Sequence, residues 1–502
     1  MGGRRTFQTT ANGIYEMTLK ELESYLWGAA TYLRGFIDAG DYKQYIFPLL
    51  FYKRICDVYD EEYEDALEES DGDLEYAAFD ENHRFKVPAE AHWNQVRSTT
   101  VNVGQAINKA LNEIQKVNAQ QLQGIFGDAD WTNKERLSDE MLCQLIEHFS
   151  SKNLNIKNVP NDELGNAYEF LIKKFADDSG HTAAEFYTNR TVVKLMTLIA
   201  DPHEYDSIYD PTCGSGGLLL NCAMMLKEQG KEYRTLRLYG QEINLITSGI
   251  ARMNMLLHGF EEFNIVRGNT LSNPLFMEYD ELQQFDVVLA NPPYSIKSWD
   301  QAAFTNDAFG RNIWGTPPQG CADYAFQQHI MKSLKTDTGR CVVLWPHGVL
   351  FRDAEKEMRR KMIESDCVDC VIGLGANLFY NSPMEACLLI CRTKKPTERK
   401  GKILFINAVD EVKKDKTIST LEDHHIDKIF KAYKEYKNIE GFAKVVSNED
   451  ILKNGATLNI SQYVSRLEVK DNTPKKSFEE LYTKWEQNRN ELHNALEQLL
   501  KE

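Results

Sequence analysis

The sequence predicts an α/β fold: a doubly wound, mostly parallel, Rossmann-like sheet with an N-terminal α-helical domain and a C-terminal helical tail. Three observations carry this. Short β-rich runs alternate with helical patterns from about Leu164 to Thr393, a glycine-rich turn follows the first of those runs, and Asn-Pro-Pro-Tyr closes the fourth. At roughly 150 residues per domain, 502 residues make about three domains or subdomains. Hydrophobic residues at 42% and charged residues at 26% exclude a fibrous or largely disordered chain. No apolar run approaches the ~18 residues of a membrane span. The start, MGGRRTFQTTANGIYEM, is basic but lacks the apolar stretch of a signal peptide. A cytoplasmic protein with no membrane partner is expected.

Taken in order, the apolar positions Leu19, Leu22, Leu26, Ala29, Leu33, Tyr42, Tyr45, Ile46, Leu49 and Leu50 fall at helical spacing, with Pro48 expected to kink or start a helix. Asp60 to Glu81 is dense in carboxylates and reads as a solvated face or loop. Val101 to Ser150 is again helical, and the polar, Asn-rich stretch Ser150 to Glu163 marks the first domain boundary. The expected strands are Ser207–Tyr209, Leu236–Gly240, Asn264–Val266, Phe285–Leu289, Cys341–Trp345, Cys367–Gly373, Ala386–Cys391 and Ile403–Ile406. In the tail, Ser477 and Glu480 form a capping box, and Phe478, Trp485, Leu492 and Leu499 recur every seven residues. That seam packs either on its own domain or on a partner chain. The expected division is a helical domain over 1–155, a catalytic domain over 156–410 and an extension over 411–502.

Charge and cysteines bound the chemistry. A net charge of −17 argues against a freestanding nucleic-acid binder, because phosphate neutralisation needs local Lys/Arg density. Any DNA contact must use a local basic cleft or a partner. The ten cysteines are scattered and read as reduced thiols. Cys367-Val-Asp-Cys370 is a single C-x-x-C, read as two strand cysteines on one face, and no metal site is expected.

Three strand ends carry the functional signal. Tyr209-Asp210-Pro211-Thr212-Cys213-Gly214-Ser215-Gly216-Gly217 runs from a strand into an apolar helix. Such a turn lets the backbone approach a ligand and aims helix N-terminal amides at it. Its glycine spacing is wrong for a dinucleotide pyrophosphate. Leu238-Tyr239-Gly240-Gln241-Glu242 ends a second strand in a carboxylate able to accept both hydroxyls of a ribose. Phe285 to Ala290 then runs into Asn291-Pro292-Pro293-Tyr294. The prolines stiffen that loop, while the Asn oxygen and a neighbouring backbone carbonyl can accept both hydrogens of one amino group. A conjugated amine is a poor nucleophile, and two aimed acceptors stabilise the positive charge that develops as its nitrogen attacks. Tyr294 offers a face for a flat base drawn out of a duplex. His347, at another strand end, lines the cleft or braces a loop.

These segments resemble the S-adenosylmethionine-dependent amino-methyltransferases of DNA, and most of the chain is similar to the modification subunits of type I restriction–modification systems. The resemblance rests on Glu185-Phe186-Tyr187-Thr188-Asn189-Arg190, Asp210 to Gly217, Asn291 to Tyr294, Trp345-Pro346-His347-Gly348-Val349-Leu350-Phe351 and Asn377-Leu378-Phe379-Tyr380. It implies site-specific transfer of a methyl group from S-adenosylmethionine to the 6-amino group of a flipped adenine, with Asn291, Pro292, Pro293 and Tyr294 as the catalytic loop. Glu185, Phe186, Tyr187, Thr188, Asn189 and Arg190 would pack on the methionine end of the cofactor. Asp210, Cys213, Gly214, Ser215, Gly216 and Gly217 would meet its backbone, Glu242 its ribose and Asn269 its adenine. Tyr294 would form one wall of the base pocket, and Phe379 or Tyr380 the other. The implied partners are double-stranded DNA, a specificity subunit, a second copy of the chain and a restriction (nuclease/translocase) subunit.

Three departures stand out. Asn189 replaces the family's usual proline, which should loosen its loop. Asn269 replaces a common Asp, and its amide can still accept from the cofactor's adenine amine. Asn381-Ser382-Pro383 replaces a Gly-Thr-Gly run. Cytosine amino-methylation, or glutamine methylation on a protein, could use the same loop, although nothing in the latter explains the long helical N-terminal region. The non-enzymatic alternative is a degenerate scaffold or cofactor sensor.

Overall fold

The helix Lys43–Glu69 is buried from Tyr45 through Val58 almost without interruption, so it must lie inside other helices. The helices Leu19–Gly28, Val103–Val117, Asp139–Ser150 and Asn161–Asp178 pack around it, and their apolar residues form one core with a face of the helix Leu245–Leu257. Pro48 lies inside the Lys43–Glu69 helix, which begins five residues earlier. The computed structural model describes residues 17–178, 187–378, 384–414, 419–465 and 478–499.

The acidic stretch continues the central helix to Glu69, with most carboxylates exposed. Glu61 is the exception, at 6% exposure, and accepts the amides of Ile156 (2.8 Å) and Lys157 (2.9 Å). Arg54 donates to the Val159 carbonyl at 2.9 Å and to Asn161 at 2.8 Å. The polar stretch around 150–163 is therefore strapped to the central helix by buried charge.

The sheet has nine strands: β1 (Ser207–Asp210), β2 (Arg237–Glu242), β3 (Phe263–Arg267), β4 (Val287–Ala290), β5 (Arg340–Pro346), β6 (Val368–Leu374), β7 (Ala386–Arg392), β8 (Lys402–Ala408) and β9 (Ala443–Ser447). Their spatial order is β9-β8-β6-β7-β5-β4-β1-β2-β3. All neighbours are parallel except at β7, antiparallel to both β5 and β6, and at β9, antiparallel to β8. Only 375–385 separate β6 from β7, too little chain for the dozen or more residues of a parallel crossover. The observed sheet matches the expected class, with strand ends shifted by no more than two residues. β9 was not foreseen, and through it the sheet continues beyond residue 410. The chain divides into two compact units, 1–464 and 465–502.

Alternate residues of the strands feed separate cores on the two faces. Ile208, Val287, Leu289, Val342 and Leu344 meet the helices Arg190–Ala200 and Gly217–Glu228. Tyr209, Val288, Val343 and Trp345 belong to the other core, with Tyr324 and Phe326 of the helix Asp323–Lys332. Cys367 and Cys370 fall in different cores, so the pair does not share a face; a three-residue separation on a strand reverses the side. β1 pairs with β2 on one side and β4 on the other, and the order reverses there. A crevice opens at such a switch point, outside the C-terminal strand ends. The turns after β1, β2 and β4 all reach it.

The second unit contains the helix Phe478–Leu499, in which Trp485 is 54% and Leu492 63% exposed. Among the described residues, no helix is long and apolar enough to cross a membrane.

Candidate active site

After β1 the chain turns sharply, with Gly216 at φ +78° capping the helix Gly217–Glu228. A side chain there would be strained, as glycine avoids. At Gly217 a Cβ would sit 1.9 Å from the Arg190 guanidinium, so a side chain there would displace that group from its place over the turn. Arg190 pairs with Glu169 and lies over the Tyr187 ring, 4.8 Å from its centroid. Glu169 also accepts from Asn254 (2.5 Å), whose amide donates to the Ser215 carbonyl (3.0 Å). The turn is thus held from behind by charge and amide groups.

Glu242, at the end of β2, accepts the amides of Gly214 (3.0 Å) and Asn244 (2.9 Å). Burial raises its pKa against the pull of those hydrogen bonds. Each carboxylate oxygen retains a second lone pair, which suits a pair of hydroxyls. Asp210, buried at the end of β1, is pushed up to about 8 by burial and by Glu242 nearby, despite the Thr212 amide. A buried acid of this kind suits a cationic group. Cys213 is buried below the turn, and its thiol is raised by the same burial.

The acceptor loop follows β4. The Asn291 amide group donates to the Thr188 hydroxyl at 3.0 Å, which leaves Oδ1 facing the other way. That oxygen accepts the Tyr294 hydroxyl at 2.8 Å. Tyr294 is half-buried, its ring centroid 6.4 Å from Trp345. The acceptor predicted for an incoming amine is therefore engaged by the residue predicted to stack on the base. The oxygen keeps a second lone pair for an incoming amine.

One cavity of 1190 Å³ joins these parts, lined by Gly214, Glu242, Asn269 and the loop Asn291 to Tyr294 among others. A recess of 20 Å³ beside it is bounded by Thr188, Asp210, Gly214, Ser215 and Asn291. The acceptors fit a nucleoside-type cofactor at Glu242 with its charged end toward Asp210. Tyr187 also lines the large cavity, whereas Arg190 touches only the recess. Glu185, Phe186, Phe379, Tyr380 and Asn381 to Pro383 lie outside the described residues.

Two of the departures are explained. Asn189 does not loosen its loop. Its oxygen caps the helix Arg190–Ala200 by accepting from the Thr191 amide (3.0 Å), and its amide group donates to the carbonyls of Leu378 (3.3 Å) and Ser419 (2.9 Å). Three chain segments meet on one buried side chain, which holds position 189 by hydrogen bonds in place of a proline ring. Asn269 spends its oxygen on the amides of Leu271 (3.0 Å) and Ser272 (3.2 Å), shaping the cavity wall. His347 braces a loop, its ring 3.5 Å from Glu385, and does not line the large cavity.

Sequence reasoning missed several supports. Arg311, 2% exposed, donates to the carbonyls of Thr270 (3.0 Å) and Leu271 (2.7 Å) and pairs with Asp307 at 2.6 Å. Its guanidinium lies 4.9 Å from the Phe309 ring centroid. A lone arginine among Phe304, Phe309 and Trp314 was the available signal. Glu169 and Asn254 gave none, since a helical carboxylate or amide is uninformative without its partner.

The N-6 DNA Methylase family model matches residues 159–472, and the HsdM N-terminal domain model matches 22–149. A type I restriction enzyme methylase subunit of Methanocaldococcus jannaschii, MjaVIII, is 32% identical over 85% of this chain and 75% of its own length. The MpnII methylase subunit of Mycoplasma pneumoniae is 28% identical over 88% of this chain and 89% of its own. The crystal structure of a type I restriction–modification methyltransferase subunit from Streptococcus thermophilus superposes with a TM-score of 0.77 at 30% identity, covering 89% of this chain and all of that one.

Proposed function

The chain belongs to the N-6 DNA methylase family, and from that membership and the strand-end geometry we infer a DNA adenine methyltransferase acting as the modification subunit of a type I restriction–modification complex. The single observation that carries the catalytic reading is the shared cavity. The glycine turn, Glu242 and Asn291 converge there from three strands that meet at the switch point.

S-adenosylmethionine supplies an electrophilic methyl group when bound. Glu242 takes its ribose hydroxyls, Asp210 its ammonium, and Gly214 to Gly217 its backbone. Tyr187 and Thr188 close the methionine end, and the wall shaped by Asn269 borders the adenine. Asn291 Oδ1 and the Pro292 carbonyl accept the two hydrogens of the adenine amine, so that positive charge developing on the nitrogen meets fixed dipoles. Pro293 stiffens the loop, and Tyr294 stacks on the flipped base. Thr188 keeps the amide group of Asn291 turned away from the substrate. No strong base is needed before attack, since the nitrogen-bound proton becomes acidic once the methyl is attached.

An acidic chain holds duplex DNA poorly by itself, because affinity scales with the phosphates that Lys/Arg neutralise. Target recognition falls to a specificity subunit, contacted through the helix Phe478–Leu499 with its exposed Trp485 and Leu492. A second copy of this chain would serve the other half of a two-part target, and a restriction subunit would join the same assembly.

The test is transfer of labelled methyl groups from S-adenosylmethionine to unmethylated DNA, with and without a specificity subunit from the same host. Transfer to adenine N6 only when both are present is the expected result. Cofactor binding without transfer would leave a scaffold. Product on cytosine would change the base, and sequence-specific transfer by the isolated chain would remove the partner requirement. Deleting residues from Ser477 onward should abolish co-purification; normal assembly would take the tail out of the interface.

A further inference from the structure

The segment Trp345 to Phe351 and the residues around Asp323 have no part in the reading above, yet they meet at the exit of the acceptor loop. Ser295, directly after Tyr294, is held at φ +52°, a left-handed conformation that a residue with a side chain adopts only under restraint. The restraint is visible. The Ser295 amide donates to Asp323 Oδ1 at 2.7 Å. Asp323 is fully buried at the start of the helix Asp323–Lys332. Its other oxygen accepts Arg352 at 2.5 Å, and Arg352 also donates to the buried Glu355 at 2.8 Å. Arg352 follows Phe351 directly, so the Trp345 to Phe351 segment delivers the counter-charge. The same segment is fixed to the helix by Tyr324, whose hydroxyl donates to the Val349 carbonyl (3.1 Å), and by Trp345, which donates to Gln327 (2.9 Å).

Cys321, Asp323 and Glu355 place potential ligand atoms within 4.8 Å of one another, a spacing that could suggest a cation. The Arg352 guanidinium already bridges both carboxylates, so the chain supplies that positive charge itself.

We propose that Asp323 is a positioning residue for methyl transfer: by gripping the Ser295 amide it fixes the exit of the acceptor loop, and with it the directions of Tyr294 and the Asn291 oxygen. Arg352 is the fixed counter-charge that keeps Asp323 in place. The proposal rests on the reading of Asn291 to Tyr294 as the acceptor loop. It gives the Trp345 to Phe351 segment and the Asp323 helix start a shared task.

The experiment uses the full complex with its specificity subunit and compares Asp323→Ala, Asp323→Asn, Asp323→Ala/Ser295→Gly and Asn291→Ala. Asp323→Ala should lower kcat at least tenfold while leaving the cofactor Kd within about twofold. Asp323→Asn retains an oxygen for the Ser295 amide and should recover part of the rate. Adding Ser295→Gly to Asp323→Ala should also recover part of it, since glycine holds φ +52° without help. A residue that merely stabilised the fold would not be rescued by glycine at a neighbouring loop. Wild-type kcat in Asp323→Ala, or a loss shared by kcat and cofactor affinity without rescue, overturns the proposal. Should Asp323→Ala fail to fold, Arg352→Gln decides: it takes the counter-charge from Asp323, so a kcat deficit at unchanged cofactor Kd supports the grip, and wild-type kcat refutes it. Full activity in Asn291→Ala would instead overturn the underlying reading of the loop.

Discussion

The turns after β1 and β4 sit side by side at the switch point, and they are built on opposite principles. The first is a backbone device. Its glycines admit φ values and close contacts that other residues refuse, Glu242 and Asn254 hold its amide and carbonyl groups, and Glu169 braces Asn254 from behind. The second is a side-chain device. Asn291 is oriented by one hydroxyl from Thr188, meets one hydroxyl from Tyr294, and its loop leaves through one amide on Asp323. The difference teaches where function is vulnerable. A turn with several restraints tolerates the loss of one as a graded loss of affinity. A loop with one hydrogen bond per task loses that whole task.

The contrast breaks most directly at Asn291. Asn291→Ala should lower kcat by a factor of about 10²–10³, as for removal of one donor or acceptor aimed at developing charge, while cofactor affinity stays nearly unchanged. Steady-state methyl transfer with equilibrium dialysis measures both, and a variant with near-normal turnover would remove Asn291 from the mechanism. On the other side, Glu242→Ala should weaken cofactor binding by roughly 10- to 100-fold, at ~1.5–3 kcal/mol for hydrogen bonds to a charged acceptor. Unchanged affinity in dialysis would contradict the ribose assignment.

Smaller effects sharpen the comparison. Thr188→Val removes the acceptor that orients the Asn291 amide and should cost roughly fivefold in kcat, matching the ~1 kcal/mol of one net hydrogen bond. Cofactor Kd should barely move; a Kd effect larger than the kcat effect would place Thr188 with the cofactor instead. Tyr294→Phe keeps the stacking face and removes the hydroxyl that engages Asn291, so turnover should stay within about threefold of the parent, whereas Tyr294→Ala loses ~1–3 kcal/mol of stacking. Equal damage in both would mean that the hydroxyl, and not the ring, does the work.

The smallest signal is a proton. With a pKa pushed up to about 8, Asp210 is mostly protonated at pH 7 in the free protein and ionised beside a bound ammonium. Cofactor binding should therefore release up to roughly one proton at pH 7, fading above pH 8 as the free carboxyl ionises on its own. Calorimetry in buffers of different ionisation heat reads this directly. Asp210→Asn should abolish the buffer dependence, and a wild-type protein without it would move the ammonium elsewhere.

Legibility followed the same division. The β1 turn and the Asn-Pro-Pro-Tyr loop were readable because glycine and proline impose backbone demands within a short window, and strand alternation with helices fixed the fold class. Glu242 was readable from its place at a strand end. The Asn189 side chain was misread as a loosening, because its partners Leu378 and Ser419 lie 189 and 230 residues away. β9 was missed because five residues at a sheet edge, partly exposed, show little periodicity.

By itself the sequence determined which residues must form strand ends, which turns need glycine, and what chemistry the acceptor loop can perform, since these depend on local geometry and functional groups. Only the tertiary structure decided what restrains them. It inserted β7 between β5 and β6; the short connection after β6 makes β7 antiparallel to it, but which strand lies on the other side is invisible in a buried apolar run. It joined Glu169 to Arg190, Arg54 to the 159–161 segment, and Arg352 to Asp323 and Ser295. Buried charges and amides must find partners, but which partner each finds depends on the elements that pack beside it. That is a property of the assembled sheet and helices, not of any window of sequence.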